Sequence, residues 1–340
     1  MFRKVNLRAC LIVAALWATA NAEGRSPVIN VVRFGAGGRA VYVGSTFGLL
    51  ISADGGCTMR WACEADLGYA GTWDPKYAIG ADGTIFATTF SGLAISRDGG
   101  CTFSKAGGRI AGAWIDAIDL TPAGDVWVTT AISGAPNDAY VSHDGGGTFD
   151  PVGLSSPRIF WKSVHVAPSD PARVYVSGYE VAPPTGHLEV SRDAGRSWTA
   201  SSLAGVAFGA TPIVLVAAVD PRTADTFYLI SERAAPTGDR LYRTVDGGRT
   251  FHAVLDVTGQ IGDVVVRSGD VLVATLRHSG AESIGGPVYR ATDGETFAPV
   301  PGAPALSCLA AAPDGSLVGC ARTALVRTAT PAGPWTPLWR

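Results

Sequence analysis

Lysine is scarce in this chain: past the first few residues it occurs only at Lys76, Lys105 and Lys162, and arginine carries nearly all of the positive charge. Charged residues make up just 16% of the 340 positions and the formal net charge is −2, so the basic footprint of a nucleic-acid binder is missing. Long apolar runs are missing too. Beyond the N-terminus no stretch approaches the roughly 20 residues needed to span a bilayer, which excludes a transmembrane segment in the mature chain. The few histidines, His143, His165, His187, His252 and His278, are scattered and share no zinc-site spacing with the cysteines. No glycine-rich loop opens a helix to cradle a phosphate, and no helical periodicity is evident. Neither a metal nor a cofactor is expected.

Glycine (43) and proline (21) are plentiful, and 47% of positions are hydrophobic. That composition fits a globular chain with a large core and many strands joined by tight turns. The first 22 residues form an exception. A basic start (Arg3, Lys4, Arg8), an apolar stretch from Ala9 to Ala20 and the triplet Ala20-Asn21-Ala22 have the layout of a secretory signal cleaved before Glu23. Its loss removes three cations and takes the net charge to −5. A secreted, periplasmic or extracellular location is therefore expected.

An octet recurs along the rest of the chain. Ser96-Arg97-Asp98-Gly99-Gly100-Cys101-Thr102-Phe103 has counterparts at Ser52–Met59, Ser142–Phe149, Ser191–Trp198 and Thr244–Phe251. A shortened copy runs from Thr292 to Phe297, and a degenerate one from Thr328 to Trp335 lacks the aspartate. The pattern is that of a turn: the aspartate accepts backbone N–H bonds from residues just ahead, the glycines supply positive φ, and Ser or Thr bonds across the turn. The closing aromatic starts the next strand and fills the gap to a neighbouring sheet. Asp54, Asp98, Asp144, Asp193, Asp246 and Asp293 are accordingly structural.

The octet resembles the Asp box, or BNR repeat, of sialidases, two-propeller xyloglucanases, sortilin-type receptors and photosystem assembly factors. The resemblance spans residues 28 to 340 and implies an all-β, seven-bladed β-propeller with the boxes between third and fourth strands, on the rim and away from any active site. Around each octet four short strands alternate with Gly, Asp and Pro turns. Seven units result, at about 28–66, 73–107, 114–153, 161–203, 211–256, 261–301 and 304–340, making residues 23–340 a single propeller. Each blade is one contiguous segment, so the ring must close by packing between the first and last blades.

Five cysteines follow the signal, an odd number. Cys308 and Cys320 flank Pro313-Asp314-Gly315 symmetrically, so an antiparallel hairpin brings their Cα atoms to about 4.5–5.5 Å, within disulfide range. Six residues of straight strand separate Cys57 from Cys63 by roughly 20 Å, and the pairing of these two and of Cys101 stays open.

Strand alternation places the octets on one face and the second-to-third loops on the other. Those loops are short in blades one, two and seven and long in blades three to six, at Ile132–Asp138, Tyr179–His187, Ser231–Arg240 and Leu276–Pro287. Glu180, His187, Glu232, Arg233, Arg277 and His278 belong to this loop-rich face. Aligning the units also puts Trp73, Trp114 and Phe160 in one register at the approach to the inner strands, near Asp74, with Asp116 and Lys162 two residues further in. Aromatics beside charged groups at a channel mouth suit a sugar or a peptide.

Catalysis finds less support. Sialidases carry an arginine triad and an Arg-Ile-Pro motif ahead of the first box, whereas the segment from Val28 to Leu50 holds only Arg33 and Arg39. Xyloglucanases of the resembling kind work between two propellers, and this chain has one. The sequence therefore leads to a secreted, non-catalytic, monomeric propeller that binds a protein or glycan partner on its loop-rich face. Its rivals are a glycoside hydrolase with an unrecognised site and an assembly factor of the envelope or photosystem type.

Overall fold

The computed structural model describes residues 27–339 apart from 70–72, 235, 268 and 280–281. The expected secretory signal and its cleavage site lie outside the described residues. The described chain forms seven four-stranded antiparallel sheets, each built from four consecutive strands. It is a seven-bladed β-propeller, with the first strand of each blade lining the axis and the fourth at the rim.

Burial follows from that arrangement. Second strands are covered on both faces by neighbouring blades, and Ile85–Thr89, Val126–Thr130 and Phe227–Ser231 are buried at every position. Such strands show as continuous apolar or small-residue runs instead of alternation. Fourth strands are often clipped to two exposed residues, as at Ser104–Lys105 and Asp150–Pro151, which leaves little edge for another chain to pair with.

The octets fold as their residue types dictate. In blade two, Asp98 Oδ1 accepts from the backbone N–H of Cys101 and Thr102 (both 3.0 Å) and from Ser96 Oγ (2.8 Å), while Oδ2 accepts from Thr102 Oγ1 (2.6 Å). Ser96 Oγ in turn accepts from Gly100 N–H at 2.7 Å. Asp54, Asp144, Asp193 and Asp246 repeat most of this set, and the shortened turn keeps two amide bonds to Asp293. These bonds hold the Asp144 carboxyl well below the usual range, the Thr148 amide being the largest cause. The closing aromatic does fill the inter-blade gap: Trp198 packs with Trp127 and donates Nε1–H to Val152 O of the preceding blade (3.0 Å).

Side chains of the inner strands tie blade one to two, three to four, four to five and six to seven. Arg33 Nε donates to Tyr77 O (3.1 Å), Asp119 Oδ2 accepts from Val166 N–H (2.8 Å), Ser163 Oγ accepts from Val216 N–H (3.0 Å) and Asp263 Oδ2 accepts from Leu309 N–H (3.0 Å). Closure uses the same means. Blades one and seven share no strand, but Ile29 N–H donates to Arg322 O (3.0 Å), Ser307 Oγ donates to Ile29 O (3.2 Å), and one core cluster joins Ile29, Val43 and Leu50 to Val318 and Leu325. The Cys308–Cys320 disulfide is formed at a Cα separation of 4.9 Å, between directly paired residues of blade seven. Cys57, Cys63 and Cys101 are unpaired.

Two features depart from the sequence reading. A four-residue helix, Glu64–Leu67, links blades one and two; Asp66 Oδ2 accepts the Cys63 N–H (3.1 Å) and Gly68 ends the helix at φ +72°. Four residues are too few for a periodicity to register. Moreover, the insertions of blades four and six are strand extensions and not loops. Asp170–Glu180 pairs with Thr185–Ser191 out to Glu180↔Thr185, and Asp270–Ser279 pairs with Glu282–Ala291. No helix among the described residues is long and apolar enough to cross a membrane.

Candidate functional site

On the face opposite the octets a cavity of about 360 Å³ opens beside the axis, and much of the register found in the sequence meets there. Trp73, Asp74, Trp114, Asp116, Lys162 and Glu232 all line it. Trp114 sits just before the inner strand Ile115–Leu120, whose pairing passes over Asp116 between Thr129↔Ala117 and Thr130↔Ile115. Its ring packs against Phe90 (centroids 4.6 Å apart) and Trp73 (6.3 Å). Trp73 itself is 61% exposed. Phe160 does not line the cavity. It stacks on Tyr179 (5.5 Å, 25° between planes), and Tyr179 forms the wall in its place.

The polar floor centres on Asp116, which is buried between two lysines. Lys162 Nζ lies 2.5 Å from Oδ1 and Lys76 Nζ 3.5 Å from Oδ2. Lys162 is also held over the Trp114 ring, 5.3 Å from its centroid, a cation–π contact. Asp74 accepts from Asn30 Nδ2 (2.5 Å) of the neighbouring blade. Glu232 differs from these. Half-buried at the cavity wall, its carboxylate has no hydrogen bond or ion pair among the described residues, and its pKa is pushed up, chiefly by burial and then by the Asp239 charge, with Lys162 and Lys76 opposing. The site thus combines an aromatic ledge, a lysine–aspartate–lysine cluster and one carboxyl with unused hydrogen-bonding capacity.

The remaining candidates lie elsewhere. Glu180 is 5% exposed and sits behind the wall, with Arg158 Nε 3.0 Å from Oε1 and His187 Nε2 3.7 Å from Oε2. Neither contact is aligned as a hydrogen bond, so these are ion-pair neighbours only. Burial pushes the His187 pKa down, against the pull of Glu180. Arg233 anchors the blade-five loop through Gly238 O (2.9 Å) and Asp256 Oδ1 (2.6 Å). Arg277 is exposed on the blade-six extension, away from the cavity, and the side chain of His278 is outside the described residues. Lys76, Phe90 and Tyr69 line the cavity without having been singled out. Lys76 stands one position past the shared register, where blade two has Pro75, and Phe90 is in a loop whose shortness drew attention away.

No family model and no curated protein matches the chain. Among solved structures it is similar to an ancestral GH74 enzyme, at 15% identity and a TM-score of 0.66 over 92% of this chain and 46% of that one. It is also similar to a GH74 enzyme from Niastella koreensis (15%, TM-score 0.54, 91% and 65% covered) and to the GH74 xyloglucanase from Xanthomonas campestris (14%, TM-score 0.51, 90% and 57% covered). The chain spans about half to two thirds of their lengths, and at such identities the likeness is one of propeller fold.

Proposed function

We propose that this chain is an exported, non-catalytic propeller of the Asp-box type whose mouth cavity holds a glycan, free or carried by a protein partner. The supporting observation is the exposed Trp73 set against Trp114 and Phe90 beside a charged floor. A tryptophan left this open contributes little to the core, whereas its face offers a stacking surface to the apolar side of a sugar ring. Lys76, Asp74 and Glu232 stand next to that ledge, where hydroxyl groups would need donors and acceptors.

Glycan-array binding followed by calorimetry tests the reading. Trp73→Ala should weaken the best glycan at least about tenfold, the loss of one stacked ring and more, with the fold unchanged. Unaltered affinity in Trp73→Ala and Trp114→Ala alike would refute it. A hydrolytic reading is favoured by one feature, the raised pKa of Glu232 beside further carboxylates. Release of new reducing ends from the bound glycan, abolished in Glu232→Gln, would establish it in place of simple binding.

A further inference from the structure

Below the mouth the cavity continues along the axis. A middle chamber of about 390 Å³ shares Asp74, Lys76 and Lys162 with the mouth, and shares His165 with a lower chamber bordered by Pro122, Pro168 and Pro221 at the octet face. The middle chamber mixes an aliphatic wall, Val31, Ile118, Val164, Leu215, Ile261 and Val264, with the polar groups of Ser163, His165 and the two shared lysines. Arg33 enters it from blade one and Asp263 from blade six.

These two charges border the same chamber, and no ion pair joins them. Arg33 donates Nε to Tyr77 O (3.1 Å) and Nη1 to Val32 O (2.9 Å), which leaves Nη2 without a partner, and no carboxylate is within ion-pair distance. Asp263 Oδ2 takes the Leu309 amide, and Oδ1 takes nothing. The guanidinium nevertheless pulls on the Asp263 carboxyl, whose pKa burial raises to about 6. Asp119 and His165 also border the axis; Asp119 is occupied by the Val166 and Leu120 amides and lies 3.7 Å from His165 Nδ1. Opposite charges that border one chamber without meeting each keep bonding capacity unused, and a ligand carrying both complementary charges engages both at once.

We propose that the waist of the channel binds a compact zwitterion, an α-amino acid, with its carboxylate on Arg33 Nη2 and its ammonium on Asp263 Oδ1. A neutral sugar would satisfy neither charge fully, and a simple anion would face Asp263. No cluster of three or more metal-ligating side chains occurs among the described residues, so a bare metal ion lacks its ligand set. Its two anchoring residues, Arg33 and Asp263, lie outside the lining of the mouth, so the assignment stands or falls without the glycan ledge.

Calorimetry of the full-length protein against each proteinogenic α-amino acid tests the assignment. At least one should give a saturable heat, and its deaminated and decarboxylated analogues should bind at least about tenfold more weakly, since each leaves one protein charge unpaired. Asp263→Asn keeps an acceptor for the Leu309 amide and so preserves the fold, yet should cost at least about tenfold in affinity. Trp73→Ala should leave the amino acid untouched. Arg33→Gln should match Asp263→Asn; if losing the Tyr77 tie unfolds it, the analogue series and Asp263→Asn still decide. Absence of a saturable heat for every amino acid, or equal affinity in Asp263→Asn, overturns the proposal.

Discussion

Asp263→Asn should make the protein more stable, and only above mildly acidic pH. Burial lifts this carboxyl from 3.8 to about 6 in the folded state, with Arg33 and the Leu309 amide only partly opposing. Between those two pH values the native protein holds a proton that the unfolded chain has released, so stability falls as pH rises through the interval. Above pH 6 the whole cost of ionising Asp263 is in place, and below 3.8 it is absent. Two pH units correspond to about 3 kcal/mol at most, and water in the channel reduces this, giving an expected gain of about 1–3 kcal/mol for the asparagine variant at pH 8. At pH 4 the gain should shrink to about 0.5 kcal/mol. Asp119 and His165 titrate in both proteins and cancel in the comparison. Urea midpoints followed by tryptophan fluorescence at the two pH values measure the gap. A variant less stable than the parent at pH 8, or a gap of equal size at both pH values, would refute the reasoning. Together with the binding test, this makes Asp263 a residue whose charge costs stability and serves a ligand.

Two further outcomes follow from the packing. Gly195→Ala should cost about 2–4 kcal/mol, because φ is +83° and the new Cβ would lie 2.6 Å from Trp127 Cη2; Gly83→Ala, at φ +86° in open space, should cost only the backbone strain of about 1–2 kcal/mol. Equal melting temperatures for the two variants would contradict the contact. Asp98→Ala should lower the melting temperature by stripping four bonds from its turn, while the folded fraction binds any mouth ligand with parental affinity. An unchanged melting temperature with lost binding would reverse the structural role given to that aspartate.

The fold was legible because its commonest signal is local. An aspartate two residues after Ser or Thr, followed by glycine, can satisfy itself only in one turn, and five near-identical copies set the phase of every strand between them. The disulfide was legible for a similar reason, since Cys308 and Cys320 stand symmetrically about a Pro-Asp-Gly turn. In-phase alignment also singled out Trp73, Trp114, Asp116 and Lys162, which line one cavity. Loop length was the poorer guide. Around Pro183, Pro184 and Gly186, and again around Gly285, Gly286 and Pro287, the composition is that of a loop, yet pairing continues through most of both segments. Once Glu180 and His187 are on paired strands their side chains point behind the wall, and a sequence without the register gives no means of seeing which way they turn. Arg233 was lost to the mouth for a different reason: its partner Asp256 lies 23 residues on, across the blade.

The ties between inner strands make the channel wall a hoop under shared load. Each link occupies part of one side chain's bonding valence, and only the remainder is available to a guest. Ser163 has given both its roles to Val216 and Ser177, and Asp119 has both oxygens engaged. Arg33 and Asp263 each keep one arm free, on segments far apart in the chain. A guest that took both free arms would bridge blade six to blade one across blade seven, fastening the ring over the seam where no strand is shared.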